Sequence, residues 1–221
     1  MHMSKFFRLG FISFLLAVNL PPALAQKGMD QININGQFVL AARAGWVERV
    51  VALLAEGAKV NSRDRNGDSP LNMAASKGNV ALVDVLLKAG ADVNLGNLAG
   101  VTPLMSASFG SSAEIMRKFL ASGAKIDSID RVKKNAATYA AGNGCTECLQ
   151  ELIRAGTPIN AALENNLTLL MWAAGYGHEA TVRSLLAAGA DRSLKDSRGK
   201  TALDMASDGK FEKVVSLLGQ S

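Results

Sequence analysis

Five glycines stand one fixed step apart: Gly57, Gly90, Gly123, Gly156 and Gly189, each 33 residues from the next. Six alanines keep the same step, from Ala41 through Ala74, Ala107, Ala140 and Ala173 to Ala206. So do the apolar pairs Leu53-Leu54, Leu86-Leu87, Phe119-Leu120, Leu152-Ile153 and Leu185-Leu186. A period of this length means that the chain is made of copies of one small unit. One such unit cannot bury its apolar face alone, so stacking on neighbours must supply the core. The final pair, Leu217-Leu218, arrives one residue early, which reads as a deletion near Ser207-Asp208-Gly209.

Within a unit the order is a turn, a short apolar helix and a longer apolar helix. Asp64-Arg65-Asn66-Gly67-Asp68 has the composition of a turn, because Asn and Gly tolerate positive φ. Ser69-Pro70 then opens a helix, with the proline where its missing N–H is harmless. Leu71, Met73, Ala74 and Ala75 follow, and Gly78 ends the helix. A second helix is predicted from about Val80 to Lys88, burying Leu82, Val83, Leu86 and Leu87 at helical spacing. Gly90 caps it.

These stretches resemble the ankyrin-repeat family. The resemblance is carried by Ser69-Pro70-Leu71-Asn72-Met73-Ala74-Ala75, by Thr102-Pro103-Leu104 and by Leu86-Leu87-Lys88-Ala89-Gly90-Ala91-Asp92-Val93-Asn94. Leu185-Leu186-Ala187-Ala188-Gly189-Ala190-Asp191 repeats the last of them. The expected fold is an all-α ankyrin-repeat solenoid of about six helix–loop–helix units with β-turn tips. The units would span 36–63, 64–96, 97–129, 130–162, 163–195 and 196–221, after a linker at 26–35. The family's histidine after Thr-Pro-Leu is absent, replaced by Asn72, Met105, Thr138, Met171 and Asp204. Its hydrogen bonds between neighbouring turns must be made otherwise or be missing. The fourth unit, with Lys133 for the turn glycine and Asn135-Ala136-Ala137-Thr138 for the helix start, is expected to be the weakest link.

The first 25 residues read as an address rather than as structure. Lys5 and Arg8 precede an apolar run from Leu9 to Leu20, and Ala23-Leu24-Ala25 follows. That is the order of a secretory signal peptide cleaved after Ala25, and the run is too short to span a bilayer. Export to the periplasm is therefore expected, with no membrane span after cleavage. Removing Lys5 and Arg8 leaves 22 basic against 19 acidic residues, a net +3. No basic run exceeds Lys133-Lys134, so no nucleic-acid partner is indicated.

By the resemblance, a partner would meet the turn tips and the outer face of the first helices. In the second unit those positions are polar, including Arg65, Asp68, Ser76 and Lys77. In units three to five they become Leu98, Val101, Phe109, Ile129, Val132, Leu167 and Tyr176. A solvated face has no need of so many apolar side chains, and an exposed apolar patch marks an interaction site. The expected function is non-catalytic binding of a protein partner by a monomer of the bacterial cell envelope. Trp172 and Tyr139 share a column with Leu40 and Met73 and are expected to face the core.

Cys145 and Cys148, three apart at a helix start, are open to three readings: a structural disulfide, buried free thiols, or a thiol–disulfide redox pair. The redox reading gives the alternative function. A secreted effector that binds a host protein is a third. The only histidines are His2 and His178, which excludes a multi-histidine metal site. His178 follows Gly177 where ankyrin repeats carry a structural histidine. No nucleophile–base pair or phosphate-cradling loop is present, so neither an enzyme nor a cofactor is expected.

Overall fold

The computed structural model describes residues 33–219. The signal-peptide reading, with cleavage after Ala25, lies outside them. Among the described residues are twelve α-helices, taken in pairs: α1 (Ile34–Ala44) with α2 (Val47–Ala55), α3 (Pro70–Ser76) with α4 (Val80–Lys88), and α5 (Pro103–Phe109) with α6 (Ala113–Ala121). They continue as α7 (Ala136–Asn143) with α8 (Thr146–Arg154), α9 (Leu169–Gly175) with α10 (Glu179–Ala187), and α11 (Ala202–Asp208) with α12 (Glu212–Gly219). Helix α1 is capped by Asn33, whose Oδ1 accepts from Gly36 N at 2.9 Å. It therefore begins two residues inside the stretch expected as linker.

Each first helix packs on its own second helix and on the first helices of the adjoining units, and the second helices do likewise. The result is a two-layered, all-α repeat solenoid. Ala41, Ala74, Ala107, Ala140, Ala173 and Ala206 are all fully buried in the first layer. A methyl group at that position lets the helices approach closely. Leu53, Leu86, Phe119, Leu152 and Leu185 fill the second layer, while their following partners, Leu87 among them, are only half-buried. The glycine column ends the second helices of the first five units at φ +99°, +79°, +82°, +106° and +89°. Around Gly57, Gly90, Gly123 and Gly189 a Cβ would meet nothing within 4 Å. Backbone conformation, and not lack of room, demands glycine there.

The last unit keeps its register, which corrects the deletion read from the sequence. Lys210 adopts φ +58° in the column of Gly177, Phe211 follows in the column of His178, and Leu218 is buried in the column of Leu185. What is missing is the second apolar residue, replaced by Gly219.

The turns are built on an acceptor side chain. Asp64 Oδ1 receives the N–H groups of Asn66 and Asp68 at 2.8 and 2.9 Å, and Asn97, Asp130 and Asp196 do the same for their own turns. Turns so shaped join across units: Leu98 N donates to Asn66 O (3.0 Å), Arg131 N to Ala99 O (2.8 Å) and Ser197 N to Asn165 O (2.9 Å). The fifth unit has Leu163 where the acceptor should be. Its turn rewinds into a 3-10 helix at Glu164–Asn166, with Asn165 and Asn166 both at positive φ. Among the described residues, Glu164 N makes no bond to Val132 O. A second ladder lies behind the second helices, where Asn61, Asn94 and Asn160 accept from Asp92, Lys125 and Asp191 N at 2.8–2.9 Å. At Asp127 the ladder has no donor, because the matching residue is Pro158.

Among the described residues, of those standing in for the family's histidine Asn72 alone bonds to the next turn, from Nδ2 to Val101 O at 3.0 Å. Met105, Thr138, Met171 and Asp204 meet only their own helix caps, at Thr102, Asn135, Thr168 and Thr201.

Candidate functional site

The alanine column points into the stack, and the residue before each alanine is rotated about 100° away from it. That column runs Leu40, Met73, Ser106, Tyr139, Trp172, Met205. Tyr139 and Trp172 are half-buried, at the margin of the exposed first-helix face. They pack against the core without being enclosed by it, so the expectation that they are core residues holds in part.

Both rings are held in place. The Tyr139 hydroxyl donates to Asp130 Oδ2 at 2.6 Å, and Asp130 is itself the buried turn acceptor of the fourth unit. Burial, reinforced by the hydrogen bond and charge of Asp130, raises the Tyr139 phenol well above the usual tyrosine range. The Lys134 ammonium lies 4.5 Å from the centre of the Trp172 ring and 5.6 Å from that of Tyr139, within reach of a cation–π attraction. Trp172 lies nearly parallel to Tyr176, ring centroids 6.1 Å apart, and Tyr176 nearly parallel to His178 at 6.3 Å. His178 Nε2 is 2.8 Å from Gly142 O, joining the fifth unit to the fourth.

The apolar residues singled out from the sequence divide into three groups. Phe109 (63% exposed) and Tyr176 (56%) stand at the ends of α5 and α9, on the same face as Tyr139 and Trp172. Leu98 (55%) and Val132 (61%) lie on the turn tips, and Ile129 (50%) lies just before the fourth turn. Val101 and Leu167 are half-buried and packed against the core. They sit between tip and helix cap, where the chain re-enters the stack, and Val101 also lines a hollow on the first-helix face. Ile129 shares a shallow cleft of about 280 Å³ with Leu163, Lys133 and Glu164. Leu163 escaped notice in the sequence, although its break in the column Asp64, Asn97, Asp130, Asp196 was a visible signal.

Cys145 and Cys148 are joined in a disulfide. Cys145 caps α8, its Sγ accepting from Cys148 N at 3.3 Å, in the column where Asn79 and Ser112 cap α4 and α6. Cys148 is fully buried and Cys145 nearly so, at 8%. No described helix is long and apolar enough to cross a membrane.

A stack of paired helices with hydrogen-bonded turn tips, presenting an aromatic face, is a repeat scaffold. Residues 38–130 and 131–221 match the family described as ankyrin repeats (3 copies), and the chain belongs to that family. Its members are protein–protein interaction modules, generally without catalysis. No curated protein matches the chain.

Proposed function

We propose that this protein is an exported, monomeric, non-catalytic binding module of the bacterial cell envelope, and that its partner protein lies across the first-helix face of units three to five. One observation carries the reading: Phe109, Tyr139, Trp172 and Tyr176 gather on one face of adjoining units, with Lys134 over two of the rings. Large aromatics whose rings are held in place give contact area at low entropic cost. The order of residues 1–25 supports export, and a disulfide suits an oxidising compartment. The thiol-exchange alternative is less well supported, since exchange needs access for an attacking thiolate and both sulfurs belong to buried residues.

The test is affinity capture from periplasmic extract with the exported protein, beside the Phe109→Ala/Tyr176→Ala double variant. A partner held by the parent and weakened at least about a hundredfold in the variant, with an unchanged melting curve, is the expected result. Capture indifferent to both rings but released by reductant would replace this reading with the thiol one. N-terminal sequencing of the same material should begin at Gln26.

A further inference from the structure

A hollow of about 290 Å³ opens on the first-helix face, across α3, α5 and the ring of Tyr139. Its origin is Ser106, which occupies the column filled on either side by Met73 and Tyr139. Apolar atoms of Met73, Met105, Phe109 and Tyr139 line it, and Asp68 brings a carboxylate.

Apart from the Ser106 hydroxyl, which accepts from Asn72 Nδ2 at 3.5 Å, the side-chain donors around the hollow are turned toward the protein. Asn72 Nδ2 reaches Val101 O at 3.0 Å and Ser76 Oγ reaches Met73 O at 3.2 Å. The Tyr139 hydroxyl is given to Asp130. Asn97 Nδ2 donates to Asp68 Oδ1 at 2.7 Å, which fixes that carboxylate without neutralising it. Among the described residues no cation forms an ion pair with Asp68. The hollow therefore offers apolar and aromatic walls, one fixed negative charge and few free donors.

We infer that this hollow seats a cationic side chain of the partner protein, an arginine or a lysine. The inference rests on the reading that a partner lies on this face, and it adds the chemistry of the anchor. A long aliphatic stem suits the methionines, and a guanidinium lies flat against aromatic rings. The charged head meets Asp68. An apolar side chain would instead cover the carboxylate and leave it unpaired, and an acidic one would face a like charge.

The probe is a displayed library of dodecamer peptides with a fixed central Arg, Lys, Leu or Glu and random flanks, selected on the full chain. The Arg and Lys sets should yield binders that are lost with Phe109→Ala. In such a binder, exchanging arginine for the uncharged citrulline should weaken affinity about tenfold or more. Asp68→Asn, which keeps the acceptor for Asn97, should cost about the same, and citrulline should cost nothing further in that variant. Binders that need Phe109 yet arise equally from the Leu set and ignore Asp68→Asn would overturn the cationic seat while leaving the binding face intact. A selection giving no binder dependent on Phe109 or Tyr176 would overturn both.

Discussion

The junction between the second and third units and that between the fourth and fifth are joined by different means. At the former, the turns are zipped by polar bonds: Leu98 N to Asn66 O, Asn72 Nδ2 to Val101 O and Asn97 Nδ2 to Asp68 Oδ1. At the latter, none of these three bonds has a counterpart among the described residues. The units are held instead through their helices, by His178 on Gly142 O, the Thr146 and Thr181 hydroxyls at 2.9 Å and Gln150 Nε2 on Ser184 Oγ at 3.1 Å. Lys134 over Trp172 adds a fourth link, in the aromatic array. In a stack whose stability is a sum of neighbour terms, polar turn bonds and aromatic contacts are alternative ways to reach a sufficient sum. Both leave apolar side chains on the surface, Leu98 and Phe109 at the polar junction and Val132 and Tyr176 at the aromatic one, but only at the second do the surface rings themselves join the units.

The largest expected effect tests the zipped junction. Asn72→Ala removes the bond to Val101 and the acceptor that Ser69 Oγ meets at 2.6 Å. A loss of about 1–3 kcal/mol in urea unfolding is expected, with amide exchange quickening in the second and third turns and not in the fifth. A loss spread evenly along the chain would contradict a junction held locally.

A smaller effect belongs to the aromatic region. Tyr139→Phe should cost about 0.5–1.5 kcal/mol at pH 8, as the hydroxyl no longer meets Asp130. The folded protein holds this phenol above its unfolded pKa of about 10. The stability it contributes is thus complete below pH 10 and is lost as pH rises from there toward the folded value. Unfolding midpoints at pH 8 and pH 11 should converge for the parent and Tyr139→Phe. A constant gap between them would remove Asp130 as the cause.

How much of this was legible depends on what each residue's position specifies. The period located the units, and the spacing of Leu82, Val83 and Leu86 gave α4 its observed bounds, Val80–Lys88. These are properties of one residue type recurring at one step. The face of a column was harder to read. Trp172 and Tyr139 are as apolar as a core residue, and a rotation of one residue about the helix separates the margin from the interior. Val101 and Leu167 were ambiguous in the same way and are half-buried against the core, since an apolar residue near a turn can point either way. The last unit misled because Leu217-Leu218 resembles the earlier pairs, whereas burial follows Leu218 alone.

The smallest effect is also the one that would turn one junction into the other. Leu163 is half-buried but lies outside the core cluster, so its side chain gives up little if it is replaced. What it withholds is an acceptor for the N–H groups that the other turns bind two and four residues on. Leu163→Asp supplies that acceptor. If its absence is why the turn rewinds, Asn165 should leave the left-handed region and Glu164 N should come to Val132 O, as Arg131 N comes to Ala99 O. The expected gain is about 0.5–1 kcal/mol, accompanied by slowed exchange of the Glu164 amide. The cleft shared with Ile129 should narrow at the same time. A loss of stability with an unprotected amide would mean that the fifth turn is held by its asparagines and by Leu163 against Ile129, and that its shape does not follow from a missing carboxylate.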